Sequence, residues 1–200
     1  MLEKVNEIHD FWFGTHEDEL VKKAKKWWIS DSHFDMEIKE KFQDIYNLAI
    51  SGELDIWRTS PKSCLAYIIL IDQFSRNLNR GKSTSFEFDD MALAASLRGI
   101  ELKLDKELPL IERLFFYMPL EHSENIVHQK ESLVHFKVLL EEAKSIDYTH
   151  LKIIKEAYEF AIKHYEVINF FGRFPHRNQV LNRKSTNDEK KYLEKFPKGF

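Results

Sequence analysis

The chain has 200 residues, of which 43% are hydrophobic and 32% charged, with only 6 Gly and 5 Pro and a formal charge of −3. So few turn residues exclude a sheet-rich fold, and the near balance of charge removes any global attraction to nucleic acid or acidic membranes, leaving only local charge distribution to consider. Cys64 is the only cysteine; an internal disulfide is excluded, and a small core residue in a reducing compartment is the simplest reading.

The opening Met1-Leu2-Glu3-Lys4-Val5-Asn6-Glu7 has neither the basic start nor the apolar run of a signal peptide, and the apolar run Cys64 to Ile71 is far too short to span a bilayer. A cytoplasmic protein with no membrane partner is expected. No stretch reads as a linker, so residues 1–200 are read as a single all-helical domain.

A first helix is expected over roughly residues 3–13, ending at Gly14, and a second near 17–28. Lys22 to Lys26 ride on the second and read as a solvated face. A third helix, near 33–51, would take Asp31 or Ser32 as N-cap and end at Gly52. Ser60-Pro61 supplies an N-cap and a first-turn proline for a fourth helix reaching about Leu78.

A fifth helix begins after Asp89 or Asp90. Ala92, Leu93, Leu97, Ile100 and Leu104 form its buried stripe, and Ala92, Ala94 and Ala95 permit close packing. Pro109 opens a sixth helix and Pro119 ends it. A seventh runs from about Ser123 to Lys144. The eighth, Tyr148 to Phe171, places Ile153, Ala157, Phe160, Ala161, His164, Ile168 and Phe171 along one face before Gly172 stops it. A last short helix follows Ser185 or Thr186. The class is all-α, an array of antiparallel helical hairpins with about eight to nine helices, without a self-similar 34-residue consensus.

Three polar cassettes follow directly on apolar helix, where isolated charge is costly unless it finds partners. In the first, Asp72-Gln73-Phe74-Ser75-Arg76-Asn77, helical spacing puts Asp72 and Arg76 beside the buried face of Leu65, Ile68 and Ile69, with Gln73, Asn77 and Arg80 on the next strip. Asp72 and Arg76 form either a site or an ordinary intrahelical bridge. In the second, Met118-Pro119-Leu120-Glu121-His122-Ser123-Glu124, Ser123 as N-cap and Glu124 as a first-turn charge are explained structurally, which leaves Glu121 and His122.

In the third, Phe171-Gly172-Arg173-Phe174-Pro175-His176-Arg177-Asn178, two guanidinium groups on a loop imply an anion. They would clamp a carboxylate or phosphate ligand or fasten the loop to Asp72 and Glu121. Arg173 to Lys184 holds four basic residues and no acid, too short a segment for nucleic acid to be the expected partner. A metal would draw its ligands from Glu121, His122, Glu124, His128, His164 and His176, but no diagnostic spacing fixes them, so no metal ligand is assigned and no cofactor follows. His164 reads as a neutral core histidine by default and gains interest only beside Glu121 and Asp72.

Together with Phe11-Trp12-Phe13-Gly14, Trp27-Trp28 and Phe115-Phe116-Tyr117, these cassettes resemble the signature of a bacterial family of unknown function numbered 924. The resemblance covers nearly the whole chain. Leu181-Asn182-Arg183-Lys184-Ser185-Thr186 is similar to a family segment that usually reads leucine-glycine-arginine, and Asn182 replaces the glycine while still tolerating a left-handed turn. The resemblance implies a tetratricopeptide-like helical array, and implies no activity, substrate or catalytic residue.

The residues themselves point to a pocket for a small anionic ligand. Asp72, Gln73, Arg76, Asn77, Arg173, Arg177 and Asn178 would line it, and Glu121, His122 and His176 are the candidates for catalysis. The competing expectation is a scaffold that holds a peptide or protein in a helical groove, with the cassettes as clasps.

Overall fold

The computed structural model describes residues 2–146 and 148–199. Among them all regular structure is helical, and the one extended pairing is an isolated bridge between Pro197 and Gly199. Among the described residues no helix is long and apolar enough to cross a membrane. The chain divides into two compact units, Met1–Arg80 with Thr84–Pro119, and Gly81–Ser83 with Leu120–Phe200.

The first unit contains α1 (Leu2–Phe13), α2 (Glu17–Trp27), α3 (Ser32–Ile50), α4 (Pro61–Ile68), α5 (Ser75–Leu78), α6 (Asp89–Glu101) and most of α7 (Leu110–His122). Asp31 caps α3 by accepting from the His33 and Phe34 N–H groups. Its core is aromatic. Trp12 meets Trp27, Phe34, Phe74 and Phe115 with ring centroids 5.5–6.1 Å apart, and Phe11 and Phe42 pack around Phe74. Each such pair adds roughly 0.5–1.5 kcal/mol beyond area burial. Trp27 also donates its indole N–H to Trp12 O at 3.0 Å, tying α2 to α1. Burial pushes the Cys64 thiol up to about 12, so it is an inert core group.

Four expectations are corrected here. The fourth helix is not uniformly α: Ile69–Phe74 is π-helical between α4 and α5, and one extra residue per turn there leaves Asp72 and Gln73 buried. Ser60 stands at the N-cap position but makes no side-chain cap, its hydroxyl pairing with Ser63 instead. Pro119 lies inside α7 rather than ending it. The Ser96 hydroxyl of α6 donates to Phe116 O at 2.5 Å, tying α6 to α7 one turn before the proline. Finally, the buried stripe of α6 is its small residues Ala92, Ala95, Ser96 and Gly99, while Ala94 is exposed and Leu93, Leu97 and Ile100 are half-buried.

In the second unit α8 (Ile126–Ile146) and α9 (Tyr148–Phe171) form an antiparallel hairpin, because Ile126 at the start of α8 packs on Val167 and Ile168 near the end of α9. The seventh expected helix thus starts three residues late: Asn125, not Ser123, accepts from the Val127 N–H. Gly172, with φ +71°, ends α9. A 3₁₀ turn at Pro175–Arg177 follows, then α10 (Asn187–Lys195), opened by a capping box in which Thr186 and Glu189 bond each other's backbone N–H. Asn182 takes φ +53°, the left-handed turn expected of it.

The close approach of α6 and α7 has a direct test. A Cβ at Gly99 would overlap the Phe116 ring and crowd the Cys64 sulfur, and Phe116 is fully buried with no room to move. Gly99→Ala is expected to cost about 1–3 kcal/mol, read as a fall of several degrees in Tm by circular dichroism.

Candidate functional site

Two polar networks form, one in each unit. In the first unit Asp72 is 1% exposed and accepts from the Gln73 amide at 2.6 Å and the Arg76 guanidinium at 3.2 Å. Arg76 also reaches Asp89 and Ser85 O, each at 3.0 Å. Burial alone would lower the Arg76 pKa, but Asp72 and Asp89 outweigh it and raise the pKa. Gln73 also reaches the Met118 sulfur at 3.3 Å. Asn77 and Arg80 share Asp35 of α3, at 2.8 Å and 2.7 Å. Burial pushes the Asp35 carboxyl up, and these two donors more than reverse that.

In the second unit the other two cassettes meet. Glu124 is their junction: Arg183 grips both of its oxygens at 2.5 and 2.9 Å, and the Phe174 N–H donates at 2.8 Å. Burial pushes the Glu124 carboxyl up, yet Arg183 and the Phe174 N–H hold it below the usual carboxylate range. Arg183 continues to Phe174 O at 3.0 Å and to Asn178 Oδ1 at 3.0 Å, and Asn178 donates to Ser185.

The C-terminal carbonyls of α7 are met by two buried side chains. Gln129 donates to Glu121 O and Ser123 O at 2.6 and 2.7 Å, and Arg177 donates to His122 O at 3.0 Å while its guanidinium lies 4.6 Å over the Phe174 ring. A cation at this helix end matches its dipole. The Glu121 carboxylate, in a residue only 4% exposed, lies 2.7 Å from His164 Nδ1. The His122 ring is 6.1 Å from that of His164, and the His164 and His176 rings stand 5.4 and 5.6 Å from Phe174. Glu121, His122, His164, His176, Arg177 and Asn178 therefore share one network around Phe174.

Arg173 turns elsewhere, to both oxygens of Glu189 at 2.6 and 2.8 Å and to Lys184 O. His128 pairs with Ser123 at 2.9 Å, and among the described residues no group of three or more His, Cys, Asp or Glu side chains could hold a metal ion.

Sequence reasoning missed Gln129, Arg183, Glu189, Asp35 and Asp89. The Thr186-x-x-Glu189 spacing is a readable capping-box signal. No sequence motif marks the others, whose partners lie 5 to 59 residues away.

A family model described as a bacterial protein of unknown function, DUF924, matches residues 8–196, and the chain belongs to that family. A solved structure of a protein of unknown function from Agrobacterium tumefaciens, ATU0120, is 30% identical, covers 97% of this chain and 98% of its own, and superposes with a TM-score of 0.75. No curated protein matches the chain.

The Glu189 clasp sets an acid limit. Hydrogen bonds from Arg173 hold its carboxyl far down, at about 2, against the pull of burial, with the Thr186 N–H helping. A carboxyl whose folded pKa is depressed stabilises the fold above its unfolded value and loses that contribution as pH falls toward the folded one. Melting temperature is expected to drop between about pH 4.5 and 2, and Glu189→Gln should lower stability at pH 7 while flattening that part of the profile; an unchanged slope would remove Glu189 from the cause.

Proposed function

We propose that this DUF924 member binds a small anionic molecule in its second unit and moves a proton to or from it. The observation that carries this reading is the Glu121–His164 pair. The Glu121 carboxylate at 2.7 Å and the Phe160 carbonyl at 2.9 Å both stand at His164 Nδ1 and both can only accept, so the proton of the neutral tautomer lies on Nδ1 between them and the acceptor nitrogen is Nε2, the arrangement of a general base oriented by a carboxylate. The His164 side chain is 18% exposed and that of Glu121 5%, so the imidazole meets solutes while the carboxylate stays covered.

Arg177 supplies positive charge beside it and carries the planar donor fork suited to carboxylate or phosphate, and the His122 ring offers a further nitrogen for hydrogen bonding. In this reading His164 transfers the proton, Glu121 orients it, and His122 and Arg177 hold the anion, with His176 and Asn178 at the margin. Asp72, Gln73, Arg76 and Asn77 in the first unit, and Arg173 in the second, act as clasps between structural elements.

A second reading has its own support. Arg76, Arg173 and Arg183 are each held by carboxylates, the pattern of structural clasps, which suits a tetratricopeptide-like scaffold for a peptide.

Thermal shift with inorganic phosphate, citrate and a nucleoside monophosphate separates the two. At a concentration one hundred times Kd a ligand adds about 2.7 kcal/mol, so at least one probe should raise Tm by several degrees in the native chain. His164→Gln and His122→Gln, both at partly exposed rings, should keep the ligand-free Tm and lose most of the shift. No response to any probe, or equal responses in both variants, would overturn the anion site.

A further inference from the structure

The turn between α2 and α3 bears an exposed apolar tip at the end of a run of lysines. Trp28 is 54% and Ile29 53% exposed, whereas Trp12, Trp27 and Trp57 are each at most 9% exposed. Trp27 is anchored by its bond to Trp12 O, and Trp28 lies flat on Phe115 at 6.0 Å with an interplanar angle of 4°. The tip is therefore held in place by the aromatic core. Helical spacing puts Val21, 40% exposed, and Lys25 on the strip that leads to Trp28.

Lys22, Lys23, Lys25 and Lys26 surround this strip, and among the described residues none of the four is in an ion pair. Lys23 and Lys26 lie over the Phe11 and Phe34 rings, at 4.9 and 5.2 Å. The acids nearby are already engaged or lie at the far end of α2. Glu19 accepts from Thr15, Asp31 caps α3, and Asp35 is bound to Arg80, while Glu17 and Asp18 sit in the first turn of α2. In a chain of net charge −3, the end of α2 thus concentrates four lysines, Lys23 partly offset by the Glu19 carboxylate one turn before it, beside an exposed tryptophan and isoleucine.

We propose that this tip docks on the surface of an anionic phospholipid bilayer, with Trp28 and Ile29 entering the headgroup region and the lysines facing lipid phosphate and carboxylate. A tryptophan suits the boundary between water and hydrocarbon because one edge is polar and the rest apolar. Two apolar side chains bind too weakly alone, and the lysines supply the second attraction that stable docking needs. The site is independent of the His164 cluster, and it gives Lys22 to Lys26 a use beyond the solvated face that their sequence alone suggests.

The test uses the full chain with vesicles of equal parts phosphatidylserine and phosphatidylcholine, against vesicles of phosphatidylcholine alone. Sedimentation should show binding to the anionic vesicles only. Tryptophan emission should shift to the blue on binding, since Trp28 is the exposed indole. Lys22→Gln with Lys25→Gln should lower partitioning about 25-fold, roughly fivefold for each lysine, and 0.5 M salt should act in the same direction.

Trp28→Ser should remove both the spectral shift and most of the binding. Ile29→Ser, which leaves the ring stacked on Phe115, should weaken binding without altering Tm. Equal binding to neutral vesicles, unchanged binding in the Ile29 and lysine variants, or binding to polyglutamate without binding to vesicles would each overturn the proposal.

Discussion

A half-buried carboxylate must find donors or give up its charge, and at Glu124 this requirement organises the second unit. Arg183 and the Phe174 N–H meet it from one side of the chain, so the residues after α7 and the loop after α9 are drawn to a common point. Glu121 and His122 are thereby brought to the same side as Phe174, Arg177 and His164. Leaving a charge of this kind unpaired costs on the order of 1–3 kcal/mol or more, comparable with a large share of the net stability of a small domain.

Charge pairing in the first unit follows the same logic with different partners. Arg76 is half-buried between Asp72 and Asp89, which neutralise it, and Asp72 sits in the π-helical segment. Most guanidinium groups of the cassettes hold segments together in this way.

The parts of the fold written in local sequence were legible in advance. Asp31 as the cap of α3, Pro61 at the first position of α4, Gly172 as the stop of α9 and the start of α10 after Thr186 each rest on one residue's backbone preference or one short hydrogen bond. What failed depended on neighbours distant in sequence. Pro119 reads as a helix end, yet α7 continues through it to His122, packed along α6, whose Ser96 lies 23 positions earlier and bonds Phe116 O. On α6, Ala92 and Ala95 are buried as their small size suggests, whereas Leu93, Leu97 and Ile100 of the expected stripe are only half-buried and Gly99, which was not in it, is pressed against Phe116 and Cys64, because close helix contact selects for small side chains.

The candidate site divided in the same way. Asp72–Arg76 follows from helical spacing, and His164 from its place on the α9 stripe, but its pairing with Glu121 spans 43 residues and no periodicity encodes it. Arg183 and Gln129 were invisible for the same reason.

The claim that Glu124 and Arg183 hold the second and third cassettes together is tested most directly by a double-mutant cycle. Glu124→Gln, Arg183→Gln and the combined variant would be compared with the native chain by denaturant unfolding. The account predicts a coupling energy of about 1–3 kcal/mol. Strict additivity of the two single losses would contradict it.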